Sequence, residues 1–271
     1  MVRLLTATPV ETGVFTNPPQ LIVTQVPTHT QVPTGVIDDS ESPLIEPYLI
    51  EVVRSAINTR VQVGFKFHHG IIIRPGLFAE IYDARLFDQE GGEIPLQSTT
   101  RLQPGLAEAE FAALNAGVEE LSLQLEYSLR GLPADDPLVI DLAGRSVSES
   151  WPILAQVKFG DLLVQLQSAS LSINESGAPP DAMKSLQLEL RGKNASWHDA
   201  QLICLNIMPA SPLSEYETVC GQEPGGIMTA VTLGQPVDLT APLPVIPESV
   251  QFQVTGDFLV LKPWETTWTV K

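Results

Sequence analysis

The chain has 271 residues, with 15 basic side chains against 32 acidic ones and a formal charge of −17. That charge repels nucleic-acid phosphates and anionic lipid headgroups within a Debye length, so nucleic-acid binding is excluded as an expectation. A hydrophobic fraction of 44% is enough for a sizeable core, yet no run of about 18 apolar residues is present to cross a bilayer as a helix. The length exceeds the common domain size of about 100–150 residues, so two compact domains are expected, with one large all-β unit as the other option.

Residues 1–46 read as a Thr/Pro-rich tether. Prolines 9, 18, 19, 27, 33 and 43 and eight threonines between Thr6 and Thr34 leave no periodic apolar face. Without one, nothing offsets a backbone ordering cost of about 1–2 kcal/mol per residue. The hexads Thr24-Gln-Val-Pro-Thr-His29 and Thr30-Gln-Val-Pro-Thr-Gly35 favour extended, polyproline-like chain. The competing reading is an edge strand at Gln20–Val26 lying on the first domain. Met1–Pro9 is too short in apolar residues for a secretory signal, so a signal or membrane anchor encoded further upstream is expected.

From Pro47 onward the dominant period is two. Val61, Val63, Phe65 and Phe67 alternate with Arg60, Gln62, Gly64 and Lys66, and Leu121, Leu123, Leu125, Tyr127 and Leu129 alternate with polar neighbours. Further strands are expected at Tyr48–Ser55, Gly76–Phe87, Ile94–Ser98, Ala107–Phe111 and Leu138–Leu142. Some seven short strands in roughly 100 residues is the pattern of an immunoglobulin-like sandwich. The polar break Gly144–Ser150 marks the expected junction. Beyond it lie strands at Leu154–Phe159, Leu162–Gln167, Ala169–Asn174, Leu186–Arg191, Gln201–Met208, Ile227–Leu233, Val250–Thr255, Phe258–Leu261 and Thr266–Val270. The fold class expected is all-β: two tandem antiparallel immunoglobulin-like β-sandwiches, 47–145 and 146–271, behind the tether.

The segment Asp83-Ala-Arg-Leu-Phe-Asp-Gln-Glu-Gly-Gly-Glu-Ile-Pro-Leu96 resembles a strand–turn–strand unit of the extracytoplasmic Ig-like regions of bacterial membrane-anchored regulators, including anti-sigma-factor-like proteins. Phe159–Leu171 is similar to opening strands of the same class, and Pro263–Val270 to a closing strand. The resemblance implies a fold and a location, and carries over no catalytic residue.

Cys204 and Cys220 flank a Pro/Ser-rich excursion, and two states are open: a disulfide that staples it, or two buried thiols. His68 and His69, adjacent on an expected strand, point to opposite faces and do not share a metal. His29 falls in the tether and His198 in a turn. The acidic pairs Asp38/Asp39, Glu119/Glu120 and Asp135/Asp136 read as solvated turn residues, and Asp88–Glu93 lacks EF-hand spacing. No cofactor motif, metal set or catalytic constellation emerges.

Trp197, Trp264 and Trp268 are the candidate ligand-contact aromatics, as a sugar-binding platform or as a buried pair at 264 and 268 capping the sandwich. The expected function is a non-enzymatic, extracytoplasmic sensory or interaction region of a bacterial membrane-anchored or envelope protein. Its partner is an unidentified protein or glycan. A carbohydrate-binding or adhesive surface module is the alternative, and a glycosidase ranks third.

Overall fold

The computed structural model describes residues 22–24, 43–177, 182–197, 199–209, 218–243 and 245–270, with backbone alone at 22–24 and 197. Most of the expected tether lies outside the described residues, including the first hexad after Thr24, the second hexad, His29 and Asp38/Asp39, as does His198.

Every regular element described is a strand, and all pairings are antiparallel. The chain runs through β1 (Ile22–Thr24), β2 (Ile45–Arg54), β3 (Asn58–Phe67), β4 (Phe78–Asp88), β5 (Glu93–Ile94), β6 (Leu96–Gln103), β7 (Leu106–Ala112), β8 (Glu120–Pro133) and β9 (Leu138–Asp141). It continues through β10 (Ser150–Pro152), β11 (Gln156–Phe159), β12 (Leu162–Ser176), β13 (Met183–Lys193), β14 (Ser196–Trp197) and β15 (Ala200–Pro209). The last four are β16 (Thr218–Glu223), β17 (Gly226–Asp238), β18 (Ser249–Val260) and β19 (Trp264–Thr269).

Three sheets result. One has the order β1-β2-β3-β7-β6, a second β10-β12-β13-β17-β16 with β11 beside β12, and the third β14-β15-β18-β8-β4-β5 with β19 on β8 and β9 on β18. The first sheet packs on the third through β6 and β7 against β4, and the second through β16 and β17 against β15. The third sheet therefore draws its strands from both sides of the Gly144–Ser150 break and is common to both layers. Its central strand β8 pairs β4 on one side, and on the other β18 (Leu259↔Ser128) followed by β19 (Trp268↔Leu121).

The period-two rows explain the core. Val61, Val63, Phe65, Leu121, Leu123, Leu125, Tyr127 and Leu129 are buried, while Lys66 and Glu126 face outward and Arg60, Gln62, Ser122 and Gln124 are half-buried; Ser128, by contrast, is buried with the row. The β1 pairing, Ile22↔Arg54 to Thr24↔Val52, places a strand within the Gln20–Val26 window. The segments expected as Leu162–Gln167 and Ala169–Asn174 form the single strand β12. A bulge between Leu166 and Ser168 shifts the buried row from Leu162, Val164 and Leu166 to Ala169 and Leu171. β18 likewise runs through Gly256, which is there for space: a Cβ at this position would meet the Phe258 and Phe159 rings at 2.8 and 2.9 Å.

The Gly144–Ser150 break is a compact turn. Arg145 pairs with Glu149 at 2.8 Å and lies over the Trp151 ring, while Ser148 N–H donates to the Leu171 carbonyl. The Arg145 hydrogen bond, followed by the Ser146 N–H, holds the Glu149 carboxyl below its ordinary range.

Cys204 and Cys220 form a disulfide with Cα atoms 5.4 Å apart. Beyond stapling an excursion, it ties β15 of the third sheet to β16 of the second. Around it the free edge of β15 is satisfied by side chains of the opposing sheet. Thr218 and Thr229 hydroxyls donate to the Ile207 and Leu205 carbonyls, each at 2.8 Å.

Tyr127 is buried with its hydroxyl aimed at the Ile45 carbonyl and its ring tilted against Phe65. Burial first, then the Asp199 and Glu46 carboxylates, raises its pKa above the ordinary phenol value. A raised folded-state value means that its stabilising contribution is complete below the unfolded value of about 10 and is lost as pH rises beyond it. We expect urea unfolding of the wild type to show a steeper loss of stability above about pH 10 than Tyr127→Phe shows. Equal slopes for the two proteins would contradict that assignment.

Candidate functional site

Two consecutive exposed isoleucines lie beyond the Phe67 end of β3. Residues 68–77, His-His-Gly-Ile-Ile-Ile-Arg-Pro-Gly-Leu, connect β3 to β4, and Ile72 and Ile73 are 66% and 52% exposed. Single exposed isoleucines are ordinary. Consecutive ones in a connection call for an explanation.

Local chemistry makes this loop stiff. At its start, Ile71 N–H donates to the His68 carbonyl at 3.1 Å, with His69 and Gly70 at φ 53° and 69°, the two positive values of a type I′ turn. At its end, Leu77 N–H donates to the Arg74 carbonyl at 3.0 Å across Pro75 and Gly76, the latter at φ 92°. Proline then glycine at the two central positions is the signature of a type II turn. The isoleucines are thus slung between two tight turns.

The loop is also clamped to its surroundings. His68 N–H donates to the Leu44 carbonyl at 3.2 Å, and the His68 ring contacts the Glu46 carboxylate at 3.1 Å. Gly76 rests against Gly131 of β8, where φ is 71° and any Cβ would strike the Gly76 carbonyl oxygen. Gly131 N–H and Arg130 both bond to Asp257 of β18, at 2.8 and 3.2 Å, and Arg130 also pairs with Glu80. The base of the loop is therefore held by strands from both sides of the Gly144–Ser150 turn.

Two hollows flank the loop. One, of about 340 Å³, has His69, Ile72 and Arg74 on one wall and Leu132, Asp135 and Phe159 on the other. The second, of about 490 Å³, is lined by Tyr48, Phe65, Lys66, Phe67, Ile71 and Ile73. Tyr48, 51% exposed, lies across Gly64, which leaves room for its ring because it has no side chain. The neighbouring β6–β7 turn joins this end through Gly105 and Pro104 carbonyls, which accept from Phe65 and Ala79 N–H groups. It brings Arg101 over the Phe78 ring at 3.9 Å.

The electrostatics of this end depart from those of the chain. No Asp or Glu occurs between Glu51 and Glu80 in a molecule with 32 of them. Of the acids bordering the loop, Glu46 contacts the His68 ring, Glu80 pairs with Arg130, Asp135 with Lys158, and Asp199 accepts from the Leu44 N–H, while Asp136 is exposed. Lys66 and Arg74 are exposed and, among the described residues, form no ion pair. The arrangement sets exposed apolar and positively charged side chains beside one another.

The residues singled out from sequence lie elsewhere. Trp268 is 7% exposed and pairs with Leu121, Trp264 is partly buried against the core, and Trp197 stands in β14, its side chain outside the described residues. Trp268 thus packs inward, as the buried alternative expects, while Trp264 keeps part of its surface accessible. Cys204 and Cys220 are joined to each other. His68 and His69 sit beyond the end of β3 rather than within a strand. Asp88 accepts the Glu90 and Gly92 N–H groups at 3.0 and 2.7 Å, so its carboxylate closes a hairpin turn. Among the described residues no three His, Cys, Asp or Glu side chains cluster as a metal-ligand set, and no helix is long and apolar enough to cross a membrane.

The loop was missed because a period-two search looks for strands. The usable signal was three consecutive isoleucines bracketed by His-Gly and Pro-Gly turn pairs, inside a stretch free of acids. Comparison with protein-family models, with curated proteins and with solved structures finds no match.

Proposed function

We propose that this chain is a non-enzymatic, extracytoplasmic interaction region of a bacterial membrane-anchored or envelope protein. Its two layers act as Ig-like sandwiches that carry a recognition surface at the His68–Gly76 loop. The single observation that carries the reading is the pair of exposed isoleucines held between two tight turns and flanked by hollows, a costly way to leave apolar surface in water unless something covers it. The Cys204–Cys220 disulfide supports an oxidising compartment. The residues lining the two hollows supply apolar contact and positive charge, which supports a binding surface.

A photo-crosslinking residue in place of Ile72, in cells producing the protein, tests this. Adducts are expected at position 72 and not at Ile57, an equally apolar residue, 78% exposed, in the β2–β3 turn at the opposite end of β3. Absence of adducts at 72, or equal labelling at 57, would remove this loop as a recognition surface.

A further inference from the structure

Resting on that reading of the loop, we propose that its occupant is a phospholipid bilayer. Ile72 and Ile73 insert at the boundary of headgroups and acyl chains, and Lys66, Arg74 and Arg101 meet headgroup phosphates.

Three observations carry this. The first is exposure: Ile72 and Ile73 are consecutive, 66% and 52% exposed, and one borders each of the two hollows, so the loop offers an apolar face toward each. A single protein groove receives one such face. A fluid bilayer closes around both.

The second is charge complementarity. Although the chain carries a net charge of −17, the stretch from Val52 to Ala79 holds no Asp or Glu, and Lys66 and Arg74, next to the exposed isoleucines, form no ion pair among the described residues. Cations bordering an apolar insertion are the pattern of peripheral membrane contact. Their long stems reach the phosphate level while the charge stays hydrated. Charges farther than roughly 8 Å from this tip are largely screened at physiological ionic strength, so the overall charge weighs more on approach than on contact.

The third is the aromatic neighbour. Tyr48 is half-exposed beside the loop, with an apolar ring and a polar hydroxyl, the amphipathic shape that favours the bilayer interface. Both turns are already formed, so docking orders little additional chain.

The test is co-sedimentation of the 271-residue chain with vesicles of phosphatidylcholine alone and of phosphatidylcholine mixed with phosphatidylglycerol, at millimolar lipid and physiological salt. The wild type is expected in the pellet with the mixed vesicles and less so with phosphatidylcholine alone. Ile72→Asp/Ile73→Asp is expected to lower the apparent partition coefficient about tenfold or more, since it replaces inserted apolar area with charge. Lys66→Glu/Arg74→Glu is expected to abolish the preference for phosphatidylglycerol. Unchanged far-UV circular dichroism and an intact disulfide in each variant keep the comparison one of folded proteins. Wild type left in the supernatant with both vesicles, or Ile72→Asp/Ile73→Asp pelleting like wild type, overturns the proposal. If the vesicles stay inert while crosslinking from position 72 yields a protein adduct, the bilayer falls and the recognition surface stands.

Discussion

Phe258→Ala is expected to cost about 3–5 kcal/mol and to destabilise strands on both sides of the Gly144–Ser150 turn together. Phe258 is fully buried, packs edge-on against Phe159 with ring centroids 5.6 Å apart, and lies opposite Leu129 of β8 in the ladder. Its ring occupies the place that Gly256 leaves open. Removing it empties a space bordered by residues from both halves of the chain. A domain of this kind has a net stability of about 5–15 kcal/mol, so the loss is a large part of the whole. Because β8 and β18 belong to one ladder, near-ultraviolet and far-ultraviolet signals of the variant should move along one denaturation curve. Two separated transitions, with only the later half of the chain shifted by the mutation, would show that the shared sheet does not couple the layers.

The second large effect is expected from Cys204→Ala/Cys220→Ala. The bonded residues are 16 positions apart, for which the chain-entropy account gives about 3 kcal/mol. The crosslink joins β15 in one sheet to β16 in the sheet facing it, where Thr218 and Thr229 also bridge the layers. Its loss should therefore loosen β16, an edge strand, before it affects β8 or β4. Hydrogen exchange would register this as faster exchange at Thr218–Glu223 than at Leu121–Leu129, alongside a lower urea midpoint. An unchanged midpoint, together with two labelled thiols per unfolded, unreduced wild-type chain, would refute the crosslink.

The alternating rows were legible because one buried face imposes a period of two: Val61 to Phe65 and Leu121 to Leu129 point inward as their spacing requires. Where that period failed, a local cause is visible. The bulge after Leu166 divides one strand into two apparent ones, and Gly256 reads as punctuation although it serves close packing. β16 was hidden because its residues lie at an edge and are only partly buried. The pairing of β8 with β18 and β19 leaves no local trace, since register between distant strands is set by packing rather than by neighbours in the chain. The Cys204–Cys220 pairing was one of two open readings from spacing. The isoleucine loop escaped notice because exposure, unlike periodicity, is a property of the folded surface.

The shared sheet has a consequence for how the molecule is made. Gln124 on β8 and Glu265 on β19 hydrogen-bond at 3.1 Å yet are 141 positions apart. At a synthesis rate of about 5–20 residues per second, one flank of β8 waits roughly 7–28 s for the strand that covers it. During that interval a leucine-rich strand stands with an open ladder on the growing polypeptide. Until β18 and β19 are made, that open edge is exposed to pairing with other chains.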